Sequence, residues 1–157
     1  MTVRAAVSVA LAVALLGASM PAVDRVRVQH ADARIEGEVN RIQTVARSLS
    51  RANDVVGDGG SPARARVTVH LPVRSWGASQ VSEFTVLPPG NRRDVQWQVR
   101  GGERRHRTLD GVTLAATGAG LTLHGGGRQR LLLELRRLNG ERAVIVRRPD
   151  TAGRGVG

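Results

Sequence analysis

Apolar residues fill the start of the chain without interruption and then settle into two successive rhythms. Residues 5–23 run for 19 positions without a charge, close to the ~20 residues an α-helix needs to cross a hydrocarbon core. From Val28 the apolar positions step by three and four: Val28, Ala31, Ile35, Val39, Ile42, Val45, Ala46 and Leu49. That spacing lines one face of a helix. After a breaker cluster at 53–62, rich in Gly, Asp and Ser, the period drops to two. Over 65–71, Val67, Val69 and Leu71 alternate with Arg66, Thr68 and His70, as in a half-buried strand.

No turn signal separates the first two segments, so they are read as one helix ending near Asn53. It would extend about 75 Å at 1.5 Å per residue, more than the remaining chain can bury. Its front half therefore requires lipid or a partner. A cleaved secretory leader is the competing reading, and it needs small residues bracketing a cleavage site. Gly17 and Ser19 supply them only ahead of Met20 and Pro21, so a retained anchor is preferred. Pro21 removes a backbone donor and predicts a kink. Small residues at Ala6, Ala10, Ala14, Gly17 and Ala18 offer a face for close packing against partner helices. In the second half, Val28, Ile35, Val39, Ile42, Ala46 and Leu49 are expected to lie on a sheet. The sevenfold repeat of Val28, Ile35, Ile42 and Leu49 also fits a short coiled-coil seam, interrupted by Asp32. Arg34 and Glu38, and Glu38 and Arg41, have the spacing of intrahelical ion pairs.

Further strands are predicted at 81–87, 94–100, 103–109, 112–116, 121–124, 130–138 and 141–148. Asn139-Gly140 is a two-residue type I′ hairpin signal. In that register Leu133 opposes Val146 and Leu135 opposes Val144, while Glu134, Arg136 and Arg147 share the other, mixed face with Ile145. The expected class is α+β: a long N-terminal helix packed on a small antiparallel sheet or sandwich. The divisions are an anchor (1–23), an amphipathic helix (24–53), a linker (54–64), a β domain (65–149) and a flexible tail (150–157).

Composition changes this picture in three ways. Only one Phe, two Trp and no Tyr are present, so Val, Leu and Ile must build the core. No Cys is present, which excludes disulfides and thiolate metal sites. All 24 basic residues are Arg, and the net charge is +11. Codon bias in a GC-rich genome accounts for the lack of Lys, but not for the shortage of acids. Residues 61–157 hold 17 Arg against 7 acidic residues, which favours contact with anionic surfaces such as headgroups, acidic polymers or an acidic partner.

Candidate chemistry is sparse. His30, His70, His106 and His124 lie on separate elements without ligand spacing. Neither Gly-rich run, at 57–60 and 125–127, continues into a phosphate-cradling Lys-Ser/Thr motif. No paired carboxylates or nucleophile motif stands out. An enzyme is not expected, and neither a cofactor nor a metal is called for. Arg104, Arg105 and Arg107, around His106, form the densest basic cluster and the candidate anion site. No aromatic lies in that cluster for base stacking, and no helix in the domain suits a major groove. Nucleic acid is therefore not an expected partner.

A short basic leader, an apolar helix with a proline, an amphipathic continuation and a β domain together resemble type IV pilin-like proteins. Arg4-Ala5 stands where an archaeal prepilin peptidase site would lie, with Ala in place of the usual Gly. The phrasing of Leu71-Pro-Val-Arg-Ser and of 130–148 is similar to an uncharacterised archaeal family that accompanies pilus or secretion ATPases. The resemblance implies a minor pilin or accessory subunit of a type IV pilus-like secretion system. It would be single-pass in the cell membrane, with other such subunits as partners. The short leader adds the expectation that the β domain is exported.

Overall fold

A single unbroken helix, α1 (Val3–Ala52), forms the start of the chain in the computed structural model, and its 50 residues include Pro21. The structure describes residues 3–52 and 62–149, and the side chains of Arg4 and of residues 16–19 are not among those described. Most of the expected linker and the whole expected tail thus lie outside the described residues.

Eight strands follow: β1 (Arg64–Leu71), β2 (Val81–Val86), β3 (Val95–Val99), β4 (Arg104–Arg107), β5 (Thr113–Ala116), β6 (Leu121–His124), β7 (Gly127–Leu138) and β8 (Glu141–Arg147). They form two four-stranded sheets, ordered β1-β7-β8-β5 and β4-β3-β2-β6. The fold is α+β, as the periodicities imply. One pairing departs from the antiparallel expectation: β5 joins β8 in parallel, Leu114 opposite Val144 and Ala116 opposite Val146. Alternation fixes which side chains turn inward but not which strand lies alongside, so this partner was not readable from the pattern.

The β7–β8 hairpin has the anticipated register, with Leu133 opposite Val146 and Leu135 opposite Val144. Asn139 and Gly140 both take positive φ, 52° and 85°, as a type I′ turn requires. The outward face of this sheet is more closed than a mixed, solvated face. Leu132, Glu134, Ala143 and Ile145 on it are all buried. Glu134 is held by Arg64 at 2.9 Å, Arg136 at 2.9 Å and Arg147 at 2.8 Å. Burial alone would raise its pKa, but hydrogen bonds and charge from Arg147 and Arg136 outweigh that and lower it. Its pairing therefore supports the fold at neutral pH and is lost on acidification through that lowered value.

The second half of α1 completes the core. Ala31, Ile35, Val39, Ile42 and Ala46 are fully buried and Leu49 nearly so, in one cluster with Val69, Phe84, Trp97, Leu133 and Val144. The sevenfold repeat thus serves a helix on the protein's own sheets. Asp32 does not interrupt that face. It accepts a hydrogen bond from Trp97 Nε1 at 3.0 Å and an ion pair from Arg105 at 3.1 Å. Gln43 and Arg47 donate to the Asp110 carbonyl at 3.1 and 2.8 Å, fixing the far end. Among the described residues no ion pair joins Glu38 to Arg34 or Arg41. Glu38 turns instead to His70 on β1, 3.7 Å away, because its place on the helix faces that strand.

Candidate functional site

The two halves of α1 meet at residues 22–28, and there the β domain closes on the helix. The loop between β1 and β2 carries the contact. It is pinched by Ser75 N–H donating to the Ala78 carbonyl at 3.0 Å and Val81 N–H donating to the Pro72 carbonyl at 3.2 Å. Arg27 of α1 donates from Nε to the Trp76 carbonyl at 2.9 Å, and Ser79 N–H donates to the Arg27 carbonyl at 3.3 Å. The Arg27 guanidinium also lies 6.0 Å from the Trp76 ring centroid, within range of a cation–π contact. From the other side the β3–β4 turn comes in. Gly102 sits so close to Val28 that a Cβ there would lie 2.8 Å from its side chain, so only glycine permits this approach.

Two hollows flank this clasp. A cavity of about 670 Å³ opens between α1, the β1–β2 loop and the Gly101-Gly102 turn. Five arginines line it, Arg25, Arg27, Arg74, Arg100 and Arg105, against three carboxylates, Asp24, Asp32 and Glu103. Arg27 is paired with Asp24 at 3.3 Å and Arg105 with Asp32. Among the described residues, Arg25, Arg74 and Arg100 enter no ion pair. The second hollow, about 490 Å³, is a groove lined by Trp76 with Ala22, Val23 and Val26, and further along the helix by Arg27, His30 and Arg34. Trp76 itself is 92% exposed.

The anticipated anion site is arranged differently. Alternation along β4 sends Arg104 and Arg105 to opposite sides of the sheet. Arg104 reaches Glu83 at 3.5 Å, whereas Arg105 spans Asp32 and Glu36 of α1 at 3.1 and 3.5 Å. Arg107 gives its carbonyl to Asp94 N–H at 3.2 Å. The three still line one hollow of about 510 Å³ with His106, Glu36 and Glu103, but Arg104 and Arg105 are engaged by carboxylates, and Arg105 acts first as a strut between β4 and the helix. Within the larger cavity the arginines outside any ion pair among the described residues are Arg25, Arg74 and Arg100, drawn from three elements that no sequence run connects.

Ala6, Ala10 and Ala14 are exposed along the front of α1, while the expected partner-facing side chains of Gly17 and Ala18 lie outside the described residues. Val28 is half-buried against the core, and Ile35, Val39, Ile42, Ala46 and Leu49 are within it. Among the described residues no group of three or more His, Asp or Glu gathers as a metal site would require.

Fold and junction together define a class of protein: a helix long and apolar enough to cross a membrane, whose continuation is locked to a β domain with a basic cavity where the two meet. The chain belongs to the family described as a domain of unknown function, DUF7311, which it matches over residues 2–149. The match runs through both the apolar stretch and the strands. No curated protein matches the chain, and no solved structure does.

Proposed function

We propose that this protein is a non-enzymatic, single-pass membrane subunit, pilin-like in layout. Its front helix assembles with helices of other subunits, and its β domain stands outside the membrane. The observation that carries the reading is the uncovered front of α1. Val3, Val7, Val9, Leu11, Val13, Leu15 and Met20 are all at least half exposed. Leaving these in water forgoes on the order of 10–20 kcal/mol of burial, as much as the whole stability of a typical domain. Lipid and partner helices relieve that cost. The rigid passage from this segment into the core supports a subunit that transmits position from membrane to domain. Placement in a pilus-like secretion system rests on the resemblance of the whole layout.

The test is fractionation of native cells together with a single cysteine introduced at Ala10. The expected result is a membrane-bound or filament-bound chain whose Ala10→Cys variant cross-links to itself or to a neighbouring subunit. A soluble product beginning near Met20 would overturn the reading.

A further inference from the structure

Trp76 is the most exposed of the large apolar side chains, and the loop that carries it is fastened to α1 one turn past the apolar run. Apart from the Arg27 guanidinium 6.0 Å from its centroid, the indole is left to water. Its ring lies beside Ala22, Val23 and Val26, where a helix leaving a bilayer would pass the headgroups. Tryptophan is enriched at that depth because its ring is apolar while its N–H seeks a polar partner. Beside it the larger cavity holds Arg25, Arg74 and Arg100 without carboxylate partners.

We infer that this cavity takes the phosphate of an anionic phospholipid headgroup, with Trp76 seated in the interface next to it. The inference rests on the membrane-anchored reading above and adds to it a second, lipid-selective contact. The β domain, already locked to α1 through the core, is thereby also held against the leaflet. Arginines from three elements line one opening, in excess over its carboxylates, and guanidinium groups pair well with the several oxygens of a phosphate. Two features select a lipid over a free anion. The cavity borders the Trp76 groove through their shared residue Arg27. The groove in turn continues onto the uncharged run of α1, so an acyl chain and its headgroup meet matching surfaces at the same level.

The experiment uses the full chain in lipid nanodiscs, with Trp76 as its own probe. Trp97, 2% exposed and bonded to Asp32, supplies a constant signal that the Trp76→Phe variant isolates. In discs containing phosphatidylglycerol, Trp76 emission should shift to the blue and be quenched by lipids brominated near the headgroup. In pure phosphatidylcholine discs the quenched fraction should fall. The exposed pair Arg74→Gln and Arg100→Gln should lower the docked-to-free ratio by about fivefold per arginine without changing Trp97 emission. Millimolar inorganic phosphate should not release Trp76 from phosphatidylglycerol discs. A chain that fails to enter discs overturns both readings. An embedded chain with Trp76 still solvent-quenched overturns this one alone, as does equal quenching in both lipids or release by inorganic phosphate.

Discussion

The two halves of α1 share one backbone and differ in what their side chains meet. From Val3 to Met20 the described large apolar residues face outward on every side of the helix, whereas from Ala31 to Leu49 they occupy one stripe at nearly zero exposure. The first half is apolar all round and the second is apolar every third or fourth residue. Surroundings explain that contrast. A helix enclosed by lipid or other helices needs no polar face, while a helix lying on a sheet needs one toward water. Continuity between the halves means that neither can turn without the other.

The sharpest way to break the comparison is one truncation made twice. Ile42→Ala should cost about 2–5 kcal/mol of stability, because it opens a cavity in the core. Leu11→Ala should leave the denaturation midpoint of the β domain unchanged in the same detergent. Equal effects would mean that the halves are not packed differently. Next in size, Leu11→Arg should weaken membrane partition by about 2.5–3.5 kcal/mol, read by flotation, again without altering the domain's melting. Asp32→Ala should cost about 1–3 kcal/mol by stripping partners from Trp97 Nε1 and the Arg105 guanidinium. Trp97 emission would register the loosened seam, and Arg105→Gln should shift it less.

Acidification should separate the halves more gently. Glu134 has a folded-state pKa below its ordinary 4.5. The stability its ion pairs supply is present above pH 4.5 and drains away as pH falls through the lowered value. Thermal melts below pH 4.5 should show the β domain weakening, with no titratable group in the uncharged run 5–23 to respond. Glu134→Gln should be less stable at neutral pH and flatter across the acid range. Asp94 works in the opposite direction, since burial raises its pKa and its protonation favours the folded chain.

Much of this fold was legible because its periods are clean. The stripe from Val28 to Leu49, the alternation over Val67, Val69 and Leu71, and the Asn139-Gly140 turn each follow from local geometry. What escaped depends on meetings between distant segments. The parallel neighbour of β8 is set by tertiary packing. Glu134 reads as one of several charges on a solvated face until Arg64, Arg136 and Arg147 converge on it. Asp32 looks like a flaw in an apolar stripe until Trp97 and Arg105 reach it. The junction was the least legible region. Arg25, Arg74 and Arg100 stand far apart in the chain, whereas in the dense run at 104–107 two of the three arginines are engaged by Glu83, Asp32 and Glu36. A single tryptophan beside an arginine in a short loop, Arg74-Ser-Trp76, was the one local signal available.

Because the chain has no cysteine, single cysteines can be placed along α1 and probed in native membranes with a water-soluble thiol reagent. Val7, Leu11 and Leu15 should stay unlabelled until detergent is added. Beyond residue 28, labelling should become periodic, strong at Gly37 and Arg41 and weak at Ile35 and Ile42. Ready labelling of the front positions in intact membranes, or a flat profile through the second half, would contradict a single helix divided between lipid and sheet.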